Sequence, residues 1–514
     1  MGCATKNAKV VAISLGSLQR LIALKAVPKS AVPLIISTMS DAMSQGVDIQ
    51  LRILQTLVSL ITNFPSVHGD QLGEALLLCF KLQDSRIAVV SSTAAATLRQ
   101  LVMFVFDKMV DEDRRNAVPA NAMLEVTLPN GSTASLGPYA TDAYSPHFLH
   151  LDYLHKTFAL ELIESVLTNY HDLFRQHSEL LLLLQHHLCP LLLKSLSEKA
   201  VFPLTLRCFR VVFLLLKKFS FELKTEAEVF FMLLIKIVSE DLESSTLDHA
   251  EVRPPWLRVL AMEIIRGLCS DTELIRNIWD RYDARQSGAK VFTCLISALK
   301  RLVTEKPALL GVCAQMSGVG VHSHSAEGPS GSSSASGYGL DVGGVAGIVA
   351  TAASATVSGV VGMIGSGTGL SVEQSGMKLQ CIDQLDKADS PPIPETYIYL
   401  LAVQCIVSLC EGFASFTGPL YTSIMVQRPR TAGEPVIHAP PALDISSLPP
   451  DEPATIHLGI VRAMVDHGWP ALLAALSFII YTNLSDELFI DVLTSYQAMT
   501  NVAGMLALTT PRDA

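Results

Sequence analysis

Two groups of histidine, cysteine and aspartate side chains are the residues of this 514-residue chain whose types suit metal binding. The first lies in PHFLHLDYLHK and contains His147, His150, Asp152 and His155. On a helix His147 and His150 share a face, but His155 is five residues past His150 and points elsewhere. A zinc site needs convergent ligands held by a second layer of hydrogen bonds. The spacing therefore favours structural histidines over a metal site.

The second group is His186, His187 and Cys189 in LLLLLQHHLCP. Adjacent residues on a helix diverge by about 100°, so these histidines cannot both bind one ion from regular positions. The ten cysteines of the chain include no CxxC pair, which argues against a zinc site and against a disulfide framework. The cysteine pattern therefore predicts a cytosolic protein without a metal.

Motifs for covalent or phosphoryl-transfer chemistry are missing from the sequence, which has no GxSxG elbow, no kinase set and no Walker lysine. The uncharged stretch Gly343–Gly367 is rich in glycine, but no GK[ST] follows it. With the Ser/Gly-rich residues before it, the composition favours a flexible insert over residues 318–378. A loop that touches a membrane or a partner and a true membrane span are the alternatives. We expect no catalytic residue and no cofactor.

Charge gives one further candidate surface. The formal net charge of −10 offers no reason to expect nucleic acid as a partner. Residues 194–224, however, carry seven basic residues against only Glu198 and Glu222. Such a cluster could face an anionic lipid surface, and a solvated helix face is the plainer interpretation. The basic residues are Lys194, Lys199, Arg207, Arg210, Lys217, Lys218 and Lys224.

Hydrophobic periodicity indicates the elements that must position these residues. In TAAATLRQLVMFVFDKMVDED the apolar residues recur every three or four positions from Leu98 to Met109, which predicts one helix. The serines and threonine of Ser91–Thr93 predict its N-cap. Residues 57–82 and 163–188 share an order of helix, Thr-Asn-aromatic, polar break and helix. Residues 212–238 and 260–283 give looser copies. Such hairpins must stack to bury their apolar faces, so we predict an all-α, armadillo/HEAT-like helical solenoid.

Several separate blocks, in order along the chain, resemble the amino-terminal half of the Mon-two Golgi scaffold family. That family is related to the large Arf guanine-nucleotide exchange factors but lacks their Sec-seven domain. The blocks include MGCATKNAKVVAISLGSLQRLIA, TAAATLRQLVMFVFDKMVDED, LELIESVLTNYHDLFRQHSEL, PPWLRVLAMEIIRGLC and LDKADSPPIPETY.

The resemblance implies a domain order that agrees with the turn-rich linkers. Residues 1–113 would form a dimerisation and cyclophilin-binding-type domain, which we expect to be incomplete at its N-terminus. Residues 114–146 would be a linker, and 147–312 helical repeats of the type upstream of Sec-seven. A Ser/Gly-rich insert would follow at 313–390, and further helical repeats at 391–514 would be interrupted by a Pro-rich loop at 428–453.

One short box of the exchange factors, around Asn-Tyr-Asp-Cys, has a partial match here. Tyr282 and Asp283 agree with it, whereas Arg281 and Ala284 replace the flanking residues. The resemblance therefore suggests an interdomain role for Tyr282 and Asp283, with an ordinary helix C-terminus as the alternative.

The resemblance also implies a function. We expect a non-enzymatic peripheral membrane scaffold of Golgi-to-endosome vesicle traffic, on the cytoplasmic face of the Golgi, the trans-Golgi network and endosomes. A Dopey-type protein, Arf/Arl small GTPases and a second copy of the chain are the expected partners. The alternative is the regulatory N-terminal half of a large Arf exchange factor. A nuclear-import adaptor would need a Trp/Asn ladder, and the chain has only three tryptophans.

Overall fold

Helices form the regular structure of this protein in a computed structural model, and no β-strand occurs among the residues that it describes. Successive helices pack on one another within each part of the chain. This confirms the predicted all-α, armadillo/HEAT-like fold class. The described residues are Thr5, 7–64, 66–116, 154–239, 253–285, 288–307, 379–426 and 442–513.

Some predicted features fall outside the described residues, and they stay predictions. They are His147, His150 and Asp152, the linker beyond residue 116, the insert up to residue 378 including Gly343–Gly367, and residues 427–441 of the Pro-rich loop.

The chain divides into two compact units, Met1–His186 and His187–Ala514. In the first unit, α1 packs on α3, α2 on α4, α3 and α4 on α5, and α5 on α6. Leu15, Leu57 and Leu98 are fully buried in its core. The helices are α1 Ala8–Ala23, α2 Val32–Ala42, α3 Val47–Asn63, α4 Gly69–Gln83, α5 Ala88–Asn116, α6 Lys156–Gln176 and α7 Ser178–Leu183.

Helix α5 differs from the prediction at its start. It begins at Ala88, so Ser91–Thr93 lie inside the helix and the expected N-cap there is wrong. The Ser91 hydroxyl donates to the Gln83 carbonyl over 2.6 Å, and the Thr93 hydroxyl donates to the Val89 carbonyl one turn earlier over 2.7 Å. Hydroxyls that bond to carbonyls in this way are compatible with a helix interior.

In the second unit, α10 packs on α11 and α13, α11 on α14, α13 on α15, and α14 on α16. Helix α12 ends in a π-helical turn, Trp279–Asp283. The helices are α8 Cys189–Ser197, α9 Phe202–Phe219, α10 Lys224–Ser239, α11 Pro255–Cys269, α12 Thr272–Ile278, α13 Val291–Glu305, α14 Glu395–Val426, α15 Pro453–Ile480, α16 Asp486–Met505 and α17 Thr509–Asp513.

Four helical stretches among the described residues are long and apolar enough to cross a membrane, judged by length and composition alone. In α14 most of the apolar window is buried against α11, α13, α15 and α16. Because a buried core helix can be as apolar as a span, packing rather than hydropathy explains the composition of α14. The stretches are Ala88–Arg115, Ser178–Ser197, Glu395–Ile424 and Pro453–Ile480.

Candidate functional site

The two sets of residues singled out in the sequence meet at one edge of the second unit. Tyr282, from the partial box, donates a hydrogen bond from its phenolic oxygen to the main-chain carbonyl of Lys224, one of the basic residues, over 2.8 Å. Tyr282 lies in the π-helical turn after α12, and Lys224 is the first residue of α10. The edge is therefore built from the α9–α10 turn and the end of α12.

Tyr282 is a buried anchor. Its ring is 2% exposed and packs edge-on against Phe231, with 6.4 Å between the ring centroids. Burial, and to a lesser degree nearby glutamates, raise the pKa of Tyr282 to about 12, so its hydroxyl keeps its proton and acts as a donor. The hydrogen bond to Lys224 fixes the start of α10 against the end of α12.

Asp283 caps a helix that begins eight residues later. Its carboxylate accepts hydrogen bonds from the main-chain N–H groups of Phe292 and Thr293, over 2.8 and 3.0 Å, and from the Thr293 hydroxyl over 2.8 Å. Lys290, directly before α13, has a left-handed backbone with φ of 53° and provides no side-chain cap. Asp283 thus satisfies the N–H groups that the first turn of α13 leaves open.

The tip of this edge is an exposed aromatic ring. Phe221 is 76% exposed in the α9–α10 turn. The guanidinium carbon of Arg281 lies 4.7 Å from the centroid of the Phe221 ring, within the range of a cation–π contact. Arg281 also donates a hydrogen bond to the carbonyl of Ser220. One residue of the π-helical turn therefore holds both the backbone and the ring of the tip.

The predicted basic face is distributed over several elements. Arg207, Arg210, Lys217 and Lys218 lie within about 100° of one another around α9 by helical geometry. Arg210 donates over 3.2 Å to both the Ile382 carbonyl and the Asp383 carboxylate, so its charge is used inside the unit. Lys194 is on α8, and Lys199 follows it in the loop before α9. Lys217, Lys218 and Lys224 flank the Phe221 turn.

Sequence reasoning missed a buried carboxylate, Glu263 on α11. It is 6% exposed and accepts hydrogen bonds over 2.7 Å from the main-chain N–H groups of Cys381 and Ile382, and over 3.0 Å from the Tyr397 hydroxyl. Burial raises the pKa of Glu263 to about 7. The single acid in LRVLAMEIIRGL, with apolar residues on both sides of it, was the signal that could have identified it.

Glu263 holds the end of the predicted insert against α11. Residues 379–390 were assigned to the Ser/Gly-rich insert, yet Cys381 is fully buried beside α11. Two consecutive N–H groups bonded to one carboxylate, and the bonds from Arg210 to Ile382 and Asp383, fasten this segment. The buried carboxylate is therefore a structural clamp.

Metal and thiol chemistry gain no support from the described part of the chain. Among those residues, no group of three His, Cys, Asp or Glu side chains lies close enough to hold a metal ion. Burial raises the pKa of the Cys79 and Cys189 thiols to about 12. A thiol with so high a pKa carries very little nucleophilic thiolate at neutral pH.

Comparison with known proteins identifies the family. A model described as the dimerisation and cyclophilin-binding (DCB) domain of Mon2/Sec7/BIG1-like proteins matches residues 1–113, and a model of their HUS domain matches residues 135–291. The whole chain aligns with Protein MON2 homolog of Xenopus laevis at 30% identity and of Homo sapiens at 29%. The chain belongs to the Mon2/Sec7/BIG1-like family.

The Mon2 match covers 100% of the chain but 31% of each of these two relatives, so the chain spans less than a third of their length. A more distant relative is the human Brefeldin A-inhibited guanine nucleotide-exchange protein 1, with 28% identity over 29% of the chain and 7% of that protein. The Phe221 edge, Tyr282 and Asp283 all lie inside the HUS match.

Helix α5 lies almost wholly within the DCB match, and α6 lies within the HUS match. The two helices pack together. Tyr170 of α6 donates over 2.7 Å to the Asp107 carboxylate and over 3.0 Å to the Met103 carbonyl of α5. A ring nitrogen of His177 lies 2.7 Å from the Asp113 carboxylate. Polar contacts therefore join the two family domains. The sequence did not predict these hydrogen-bond partners.

Proposed function

We propose that this chain is part of a non-enzymatic peripheral membrane scaffold of Golgi-to-endosome vesicle traffic, which works by binding partners on helical surfaces. The observation that supports this most is the whole-chain similarity to Mon2 homologues with both a DCB and an HUS match. The best-defined polar groups agree with it, because Asp283, Glu263 and Tyr170 hold backbone and helices together. The proposed place of action is the cytoplasmic face of the Golgi, the trans-Golgi network and endosomes.

The proposed partners are Arf/Arl small GTPases, a Dopey-type protein and a second copy of the chain. Self-association has a candidate surface on the outer side of α1, where Ile13 is 71% and Leu24 is 76% exposed. Val10 and Leu21 are exposed on the same side of this helix, since positions 10, 13, 21 and 24 fall within about 80° around the axis. Apolar residues aligned in this way favour burial against another protein.

A mass measurement tests the proposed self-association. Light scattering of the purified wild-type chain should give a mass larger than that of the monomer. The variant I13D/L24D should have the mass of the monomer. The matched control is V89D, because Val89 is also exposed, at 59%, but lies at the start of α5. A wild-type chain that is monomeric at all concentrations, or an unchanged mass in I13D/L24D, would contradict this proposal.

A cellular measurement tests the scaffold itself. The tagged chain should collect on Golgi membranes and co-purify with a Dopey-type protein. A chain that is diffuse in the cytosol and captures no Dopey-type protein would contradict the proposed function.

A regulatory half of a large Arf exchange factor is the second candidate, favoured by the similarity to Brefeldin A-inhibited guanine nucleotide-exchange protein 1. In that case the purified chain should change the rate at which a separate Sec7 domain exchanges nucleotide on an Arf protein. An unchanged exchange rate at saturating concentrations of the chain would leave the scaffold as the better account.

A further inference from the structure

The α9–α10 turn presents an aromatic side chain to solvent. Phe221 is 76% exposed, whereas its neighbours Phe219 and Leu223 are almost fully buried. The N–H groups of Glu222 and Leu223 both donate to the carbonyl of Phe219, which closes the turn. A large apolar ring at the tip of such a closed turn costs hydration free energy unless something covers it.

The tip is held in place before any partner arrives. Arg281 donates to the Ser220 carbonyl and lies over the Phe221 ring, and Tyr282 fixes the start of α10 through Lys224. Because the turn is fastened from the neighbouring π-helical turn, ordering the ring on binding has a small entropic cost.

Basic residues lie on both sides of this turn along the chain. Lys217 and Lys224 are exposed on either side of the turn, and Lys218 and Arg281 are half-buried. The nearby acids of the same elements, Glu222, Glu226 and Glu228, are all half-buried, and Asp280 is exposed. Two exposed lysines therefore flank Phe221 along the chain, against one exposed acid, Asp280, and three half-buried glutamates.

We propose that the Phe221 tip is a membrane-docking element, in which the ring enters the interfacial region of an anionic bilayer while Lys217 and Lys224 lie at its headgroups. The inference rests on the membrane contact in the proposed function and names the residues that make it. An aromatic ring suits the boundary between headgroups and acyl chains, and each lysine near an anionic surface adds attraction. An anionic bilayer suits this exposed tip better than a protein groove does, because the attraction of lysines to anionic lipid needs no complementary shape.

Vesicle sedimentation of the purified 514-residue chain tests this inference. The probes are phosphatidylcholine vesicles with and without phosphatidylserine. The wild-type chain should bind the anionic vesicles more tightly, and added salt should weaken binding. F221A should lower the partition coefficient by roughly tenfold, from lost apolar burial. K217A/K224A should lower it by at least about tenfold, from lost attraction to the headgroups.

Two controls match these variants in chemistry but not in position. V229A removes apolar atoms from another exposed residue, on α10, and K25A/K29A removes two exposed charges in the first unit. Both should bind vesicles as the wild type does. F221W should bind at least as tightly as the wild type, because tryptophan favours the membrane interface. Unchanged thermal unfolding of F221A would show that the exposed ring is not needed for folding.

Binding of F221A equal to that of the wild type would overturn the inference, and so would wild-type binding that phosphatidylserine does not increase. Loss of GTPase or Dopey-type capture by F221A, with vesicle binding intact, would assign the tip to a protein partner and also overturn it. Each of these results leaves the scaffold function open to its own test, since partner capture by the wild-type chain is measured separately.

Discussion

The phenolic oxygen of Tyr282 and the main-chain carbonyl of Lys224 lie 2.8 Å apart in a hydrogen bond that ties the end of α12 to the start of α10. Fifty-eight residues separate the two along the chain. The bond places the partial exchange-factor box directly behind the exposed tip at Phe221. A structural role for Tyr282 and a surface role for its neighbours are therefore compatible.

Removing the Tyr282 hydroxyl should weaken this edge. Y282F keeps the buried ring but loses the hydrogen bond, so the free energy of unfolding should fall by about 1 kcal/mol. Urea unfolding followed by circular dichroism measures it. Y481F removes a hydroxyl from a tyrosine that is 62% exposed and should be neutral. Equal stabilities for Y282F and the wild type would show that the bond contributes nothing.

Substitution of Asp283 should lower the free energy of unfolding more than substitution of Tyr282. D283A leaves two main-chain N–H groups and one hydroxyl at the start of α13 without their acceptor, which should cost about 2 kcal/mol of stability. D283N keeps one carbonyl acceptor and should lose less. D280A, at an exposed position in the same turn, is the control. A loss no larger in D283A than in D280A would refute the long-range cap.

Glu263 should make stability depend on pH. Its pKa is raised from 4.5 to about 7 in the folded chain, so the folded state holds the proton more tightly than the unfolded state. The stabilisation is complete below pH 4.5 and is lost as pH rises towards 7, by up to about 3 kcal/mol.

Unfolding midpoints across this pH range measure the effect against E263Q, which cannot ionise and should lose this part of the pH dependence. E411Q, at an exposed position on α14, should keep the wild-type profile. Parallel pH profiles for the wild type and E263Q would contradict the assignment of the shift to this carboxyl.

The packing of α5 on α6, which joins the two family domains, should depend on Tyr170. Y170F removes the hydrogen bonds to Asp107 and Met103, so α5 and α6 should be held less firmly and the chain should lose about 1 kcal/mol. Hydrogen exchange should quicken in α5 and α6 but not in α16. Identical hydrogen exchange in Y170F and the wild type would mean that apolar packing alone holds α5 and α6 together.

The sequence allowed the fold class to be predicted because apolar periodicity is a local signal. Leu98 and Leu101 are indeed fully buried on α5. The predicted N-cap of α5 was wrong because a serine hydroxyl can either cap a helix or donate to a nearby carbonyl. Ser91 does the second. Local sequence does not distinguish these uses.

The candidate site was only partly predictable for a related reason. Tyr282, Asp283 and Lys224 were identified from the family box and from charge, but their contacts with one another and with Phe292 depend on packing. Glu263 bonds to Cys381 across 118 residues of sequence, and no spacing rule connects them. The exposure of Phe221 was equally invisible, since buried and exposed phenylalanines look alike in a sequence.

Capture of Arf-like GTPases by the purified chain decides whether the chain works by presenting surfaces to partners. Purified chain should retain the GTP-locked form of an Arf-like protein at least about tenfold more tightly than the GDP-locked form, a difference of about 1.4 kcal/mol. Recovery of both forms at the same background level would contradict the binding of Arf-like GTPases on these helical surfaces.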